Sequence, residues 1–293
     1  MSIWVHRETG AVPSIGEIVE LRCRFCDGHL VQEQIEDRWA GCSKEAVELH
    51  KETVLDMAEN HGDFIFREME LVCEPDEGAT YLSTCPLCGW WHVSKDIFLC
   101  SKSQLWFVEF GTSAVLYRFD PADITIPAEE VRQYLVTKYE SRFNVHPRRF
   151  EEVVASVFSS HGFRSEVTSY SRDGGIDVIL RDAFDRPIAI QVKRRKGVIK
   201  VASIRELLGA MVLKGFTKGA FVTTSTFQAG GSEVVRAAVA RGLDLELIDG
   251  TKFLSCLRIA QLSDFLQYPR LLKGDVLDSM QLRLGNEYHF NSL

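Results

Sequence analysis

The chain has 293 residues, of which 45% are hydrophobic, and a formal net charge of −7. This length favours two domains over one, and the apolar fraction excludes a disordered or fibrous chain. No apolar run approaches membrane-spanning length and the first residues, with Glu8 and no hydrophobic stretch, do not read as a secretory leader, so a cytoplasmic protein without membrane partners is expected.

The first chemically loaded feature is Cys23-Arg24-Phe25-Cys26, answered by Cys85-Pro86-Leu87-Cys88-Gly89. Each CxxC knuckle lets two thiolates grip one face of a tetrahedral Zn²⁺ while backbone amides stabilise the sulfur charge. The pair resembles a zinc ribbon. The long gap between knuckles departs from compact ribbons and must hold an insertion, with residues 43–60 reading as a helix that Ser43 can cap. A redox CxxC or scattered core cysteines are the alternatives. Eight cysteines with this spacing suit a reducing compartment better than disulfides. Cys42, Cys73, Cys100 and Cys256 read as buried thiols, and His50 and His61 as substitute ligands or, more plainly, helix-surface residues. Short apolar strands follow at 64–72, 90–93 and 105–117. Trp90 and Trp91 could stack on bases or a partner, core packing of at least one ring being the plainer reading. Residues 128–143 read as a connecting helix.

From Pro147 the pattern becomes sharper. Phe150, Val153, Val154, Val157 and Phe158 fall at helical spacing between Pro147 and Gly162. Glu151 lies beside the buried stripe, and Glu152 faces solvent. Gly174-Gly175-Ile176-Asp177-Val178-Ile179-Leu180 and Ile188-Ala189-Ile190-Gln191-Val192-Lys193 flank a polar turn and read as a β-hairpin. Gln191 and Lys193 share a strand face. With Asp177 on that face, a carboxylate, an amide oxygen and an ammonium converge, a set able to hold Mg²⁺ and stabilise a phosphoryl group during phosphodiester hydrolysis. A helix at 201–213, a strand ending in Phe221-Val222-Thr223-Thr224-Ser225, a helix near 231–241 and a strand at 243–248 complete an α/β sandwich around a mixed sheet.

Residues 146–260 resemble the catalytic domain of Mrr-type restriction endonucleases, in the PD-(D/E)xK nuclease superfamily. Phe150-Glu151, Asp173-Gly174-Gly175-Ile176-Asp177, Gln191-Val192-Lys193, Thr223-Thr224-Ser225-Thr226-Phe227 and Leu247-Ile248-Asp249-Gly250 carry the resemblance. It covers well under half of the chain, which follows the family in having Gln where most of the superfamily has Glu. The resemblance implies a mixed sheet flanked by helices, with Asp177 as the principal Mg²⁺ (or Mn²⁺) ligand and Gln191 and the Val192 carbonyl contributing oxygens. It also implies that Lys193 orients or activates the attacking water and that Glu151 binds a second cation or its water. Dimers are implied as well, since cutting both strands needs two sites.

Charge divides the chain. Residues 1–143 carry about −12, residues 144–262 about +6 and residues 263–293 about −1. The basic part holds Lys193-Arg194-Arg195-Lys196 and Lys200, a cluster suited to the backbone of double-stranded DNA. Gly174 and Gly175 could let backbone approach the scissile strand or form a plain turn, and Thr223, Thr224 and Ser225 could donate to phosphates or be an ordinary strand end. The expected organisation is a zinc-ribbon-like α+β domain at 1–120, a helical linker at 121–145, a nuclease domain at 146–260 and an amphipathic tail at 261–293. The expected function is Mg²⁺-dependent DNA cleavage in bacterial restriction or phage defence, with the acidic N-terminal part open to a protein partner. A degenerate nuclease fold that only binds and a structure-selective repair nuclease are the alternatives.

Overall fold

The computed structural model describes residues 3–6, 12–15, 21–35, 72–73, 79–100, 105–117, 119–169 and 174–267. The helix expected at 43–60, most of the strand at 64–72, Asp173, Cys42, His50, His61 and the tail beyond 267 lie outside them. Two compact units emerge, one taking in Trp4–Tyr117 and the other Arg118–Pro269.

The first unit is built on antiparallel strands: β1 (Trp4–His6), β2 (Val12–Ile15), β3 (Val31–Ile35), β4 (Val72–Cys73), β5 (Thr80–Thr84), β6 (Trp91–Cys100) and β7 (Leu105–Leu116). They pair in the order β1-β7-β6-β5-β3, with β2 on β7 and β4 on β6. Leu82, Trp90, Trp91, Val93 and Ala114 are buried. Trp90 Nε1 donates to the Ala114 carbonyl at 3.0 Å, so both tryptophan rings are core and neither is a stacking platform.

The second unit runs α1 (Ala128–Thr137), a 3-10 turn (Tyr139–Phe143), α2 (Pro147–Ser160), β8 (Arg164–Val167), β9 (Val178–Arg181), β10 (Pro187–Lys193), α3 (Val201–Leu213), β11 (Lys218–Thr223), α4 (Gly231–Val239), β12 (Asp244–Ile248) and α5 (Gly250–Gln267). The sheet order is β12-β11-β10-β9-β8. β8, β9 and β10 are antiparallel neighbours, while β10, β11 and β12 run parallel, so this is the mixed sheet expected. One face packs Ile204, Leu207 and Met211 of α3 against Ile176, Ala189, Phe221 and Leu245. The other carries α2 and α5, whose Phe150 and Phe253 meet edge to face at 5.4 Å.

Local chemistry sets the boundaries. α2 starts at Pro147, where a missing N–H costs nothing. It stops where Phe163 N–H returns to the Phe158 carbonyl at 3.2 Å and the two rings meet edge to face. The hairpin turn is organised by Asp182, whose Oδ1 accepts from the Phe184 and Arg186 amides at 2.9 and 3.0 Å.

Two expectations differ from what is seen. Residues 128–143 are not one helix: the backbone leaves helical geometry at Lys138, with φ −128° and ψ 62°, and resumes as the 3-10 turn. Nor do they merely link. Arg132, 3% exposed, donates to Ser156 Oγ (2.7 Å) and Ser160 Oγ (3.0 Å) of α2, and to Gln261 Oε1 (2.9 Å) and Asp264 Oδ2 (2.6 Å) of α5. The last helix also passes the boundary at 260. Asp249 Oδ1 caps it through the Thr251 and Lys252 amides at 3.0 and 2.9 Å. Among the described residues no helix is long and apolar enough to cross a membrane.

Because Arg132 satisfies acceptors on two helices at once, Arg132→Ala should lower the unfolding free energy by about 2–3 kcal/mol. Urea denaturation measures it. A change within error would show that water replaces the guanidinium at little cost.

Candidate active site and cysteine cluster

The β9–β10 register sets the geometry. Val178 pairs with Ile190 at the end of the β9–β10 register, and Asp177 N–H donates to the Ile190 carbonyl at 2.8 Å, which holds Asp177 beside the last residues of β10. The Asp177 carboxylate is fixed by the Val192 N–H, which donates to Oδ2 at 2.6 Å. Gln191 is 5% exposed, and its Oε1 has no hydrogen-bond partner among the described residues. A buried acceptor left unpaired costs about 1–3 kcal/mol, so this oxygen is poised for a donor or a cation. A carboxylate and an amide oxygen held together suit a hard divalent cation. Lys193 follows on the same face and is exposed.

Two consecutive glycines aim the strand. Gly174 and Gly175 have φ of +54° and +85°, where a side chain is strained, and they turn the backbone into Ile176-Asp177. A Cβ on Gly175 would lie 3.5 Å from Gln191 Nε2.

Glu151, on the first turns of α2, is held by Arg148, whose Nη1 lies 3.1 Å from Glu151 Oε2 and donates to the Thr168 carbonyl at 2.5 Å. Thr168 in turn donates from N–H to the Asp177 carbonyl at 3.0 Å. Glu151 is thus connected to Asp177 through Arg148 and Thr168, two residues the sequence did not single out. Glu152, expected to face solvent, is tied to Arg149 and Arg148 at a side-chain exposure of 29%.

The basic run divides. Arg195, Lys196 and Lys200 are exposed. Arg194 is half-buried, and its guanidinium donates to the Phe143 carbonyl. Thr224 is 1% exposed and its hydroxyl donates to the Arg195 carbonyl at 2.9 Å, so it is turned inward rather than toward solvent. The 3-10 turn closes around this region. Arg142 Nε donates to the Thr224 carbonyl at 3.0 Å and its guanidinium lies 4.0 Å over the Phe143 ring. Tyr139 donates to the Gly250 carbonyl, and burial pushes its hydroxyl above the ordinary phenol value, leaving it a neutral donor.

In the other unit, the four knuckle cysteines meet. Their sulfurs all lie within 4.8 Å of one another and all four are buried. Cys23–Cys88 and Cys26–Cys85 are separated by 3.5 and 3.4 Å. A tetrahedral Zn–S₄ site has sulfur–sulfur edges of about 3.8 Å, so this cluster could bind zinc with little movement. Each knuckle closes on itself: Asp27 N–H donates to the Cys23 carbonyl at 2.9 Å, and Gly89 N–H to the Cys85 carbonyl at 2.8 Å. Hydrogen bonding from the other three thiols holds Cys23 below its ordinary value, while the same network raises Cys88. His92 stacks on Trp90, and burial, reinforced by the Arg24 charge, pushes it down to about 4, so it is neutral near pH 7.

Residues 143–257 match the family model described as restriction endonuclease. The mixed-sheet unit is therefore a restriction-endonuclease-type domain. No curated protein matches the chain. Similar solved structures include the MspJI restriction endonuclease in complex with a 27-mer oligonucleotide, at 16% identity and a TM-score of 0.33, covering 50% of this chain and 37% of that one. An EndoMS–dsDNA2 complex is similar at 12% identity and a TM-score of 0.27, covering 75% and 96%. A repair endonuclease from Pyrococcus abyssi is similar at 15% identity and a TM-score of 0.25, covering 75% and 98%. The chain spans little more than a third of the MspJI chain, at 37% of its length.

Gly175→Ala should destabilise the protein by about 1–2 kcal/mol, the cost of a Cβ in left-handed backbone. Thermal or urea melts would register it. Unchanged stability would mean that the turn before Asp177 relaxes to another conformation.

Proposed function

We propose that this chain is a divalent-metal-dependent DNA endonuclease acting in restriction or phage defence. The observation that carries the reading is the buried Gln191 Oε1, without a partner among the described residues, next in sequence to the Val192 amide that holds the Asp177 carboxylate. Asp177, Gln191 and the Val192 carbonyl would hold Mg²⁺ or Mn²⁺, with Glu151 serving a second cation. When bound, the ion supplies Lewis-acid polarisation of the phosphodiester and offsets its growing charge. The remaining work falls to the chain. Val192 N–H fixes the Asp177 carboxylate, so its oxygens are presented in one orientation. Lys193 delivers an ammonium two residues beyond Gln191, where it orients the attacking water and stabilises charge on phosphorus. A neutral amide at 191 keeps the site less negative than a second carboxylate would, so cation binding strengthens once DNA phosphate arrives. Arg195, Lys196 and Lys200 grip the DNA backbone, in line with the positive balance of this part of the chain. Cutting both strands calls for two such sites, hence a homodimer on duplex DNA. Cys23, Cys26, Cys85 and Cys88 hold a structural Zn²⁺, and the acidic unit around them meets a protein partner.

Purified protein incubated with plasmid DNA and Mg²⁺ or Mn²⁺ should cut it, and chelation should stop the reaction. Asp177→Ala and Lys193→Ala should each reduce cleavage about a hundredfold or more while the fold persists. Gln191→Glu should retain activity. Wild-type turnover by a folded Asp177→Ala protein would sink the assignment. Comparing unmethylated, methylated and branched substrates separates restriction from structure-selective repair.

Elemental analysis should find about one zinc per chain, lost in Cys85→Ser with Cys88→Ser. Stripping the metal should lower the melting temperature of the N-terminal unit, since structural zinc contributes folding energy directly. Protein purified without chelator and free of zinc would defeat this assignment.

A further inference from the structure

We infer that Thr223, Thr224 and Ser225 form a hydroxyl ladder that positions Lys193 and the basic segment after it, without touching DNA themselves. The inference rests on the nuclease reading above and adds three positioning residues to it.

The main-chain pairing of β10 with β11 ends at Lys193 and Thr223. Beyond that point the segment 194–198 belongs to no strand or helix. Side chains take over where the sheet stops. Thr223 Oγ1 donates to the Lys193 carbonyl at 2.8 Å, Thr224 Oγ1 to the Arg195 carbonyl at 2.9 Å, and Ser225 Oγ to the Lys196 carbonyl at 3.0 Å. Two bonds reinforce the rungs: Thr224 N–H donates to the Lys193 carbonyl at 3.3 Å, and Arg195 N–H to Thr224 Oγ1 at 2.9 Å. Three consecutive hydroxyls therefore meet the carbonyls of three of the four residues in the cationic run.

The rail behind the rungs is itself braced. The Thr224 carbonyl accepts from Arg142 Nε at 3.0 Å, and the Ser225 carbonyl accepts from Gly250 N–H at 2.8 Å. Thr223 and Thr224 are 0% and 1% exposed, so their hydroxyls are spent inside the protein. Arg195 and Lys196 remain exposed with their carbonyls turned inward. A loop ordered before binding loses less conformational entropy when it meets phosphate, and a catalytic ammonium held by its own carbonyl stays in attack geometry.

The rungs divide the work. The Thr223 rung serves Lys193 and so the chemical step; the Thr224 and Ser225 rungs serve backbone grip. Thr223→Val, which keeps the shape and removes the donor, should slow single-turnover cleavage about ten- to hundredfold, with the salt dependence of duplex binding retained. Thr224→Val should flatten the plot of log affinity against log salt by about one to two units, the equivalent of one or two phosphate contacts. Thr223→Ser and Thr224→Ser should restore each property, because serine keeps the hydroxyl. Hydroxyls that served only stability would lower the melting temperature and move neither readout. If a valine variant does not fold, Ser225→Ala, at a half-buried position, should still reduce the salt slope by about one unit. A wild-type rate for folded Thr223→Val, or a wild-type slope for Thr224→Val or Ser225→Ala, overturns the ladder alone. Wild-type protein that binds duplex DNA but cuts none with Mg²⁺ or Mn²⁺ sinks the nuclease reading and leaves the slope to decide the ladder. Wild-type protein that binds no DNA sinks both.

Discussion

The hydrogen bond from Val192 N–H to the Asp177 carboxylate, 2.6 Å long, is the constraint on which the rest of the site depends. It ties the last turn before β9 to the end of β10 and reads out their register. A slip of one residue would turn Gln191 and Lys193 to the opposite face of the sheet. The buried alternation of Ala189 and Ile190 on the two faces makes such a slip expensive. Hydrophobic packing therefore decides which polar groups meet.

That packing also explains how an unpaired amide oxygen can be tolerated. Gln191 pairs across the sheet with Phe221 of the core cluster and is 5% exposed, so the surrounding packing keeps its amide from water. The stability lost there is a local cost that a bound cation would repay. Arg148 manages the other carboxylate. Its guanidinium faces Glu151 and the Thr168 carbonyl, so the helix and the strand region are cross-linked by a charge.

Much of this was legible in the sequence because period and punctuation coincide. Pro147 and Gly162 bracket α2, and the apolar strands around Asp182 read as a hairpin. The shared face of Gln191 and Lys193 follows from the two-residue period of the strand. Helix α3 falls at the residues its periodicity indicates. The break at Lys138 was not legible, since Val131, Tyr134, Leu135 and Tyr139 keep helical spacing through it. Helix α5 was missed although Asp249 supplies a capping signal, because no strong amphipathic pattern follows it. Arg148, Thr168 and the hydroxyl ladder belong to a harder category. Their role lies in bonds to carbonyls of residues 8 to 30 positions away, and a carbonyl has no sequence signature. Thr224 shows the consequence: the residue type suggests a phosphate donor, and only the fold reveals that its donor is already used.

The N-terminal unit fixes its geometry by other means. Its two knuckles lie some 60 residues apart in sequence, 65 between Cys23 and Cys88, yet converge to sulfur contact. Closing so long a loop carries an entropic cost that grows only slowly with length, so one strong cross-link can secure it. The unit around that cross-link belongs to a stretch of about −12 charge, while the nuclease region carries about +6. Phosphate would be repelled by the first and drawn to the second, within the roughly 8–10 Å over which surface charge acts at physiological salt. An acidic unit with a buried four-cysteine cluster thus shares a chain with a basic restriction-endonuclease-type domain, and the charge difference alone directs phosphate toward the second.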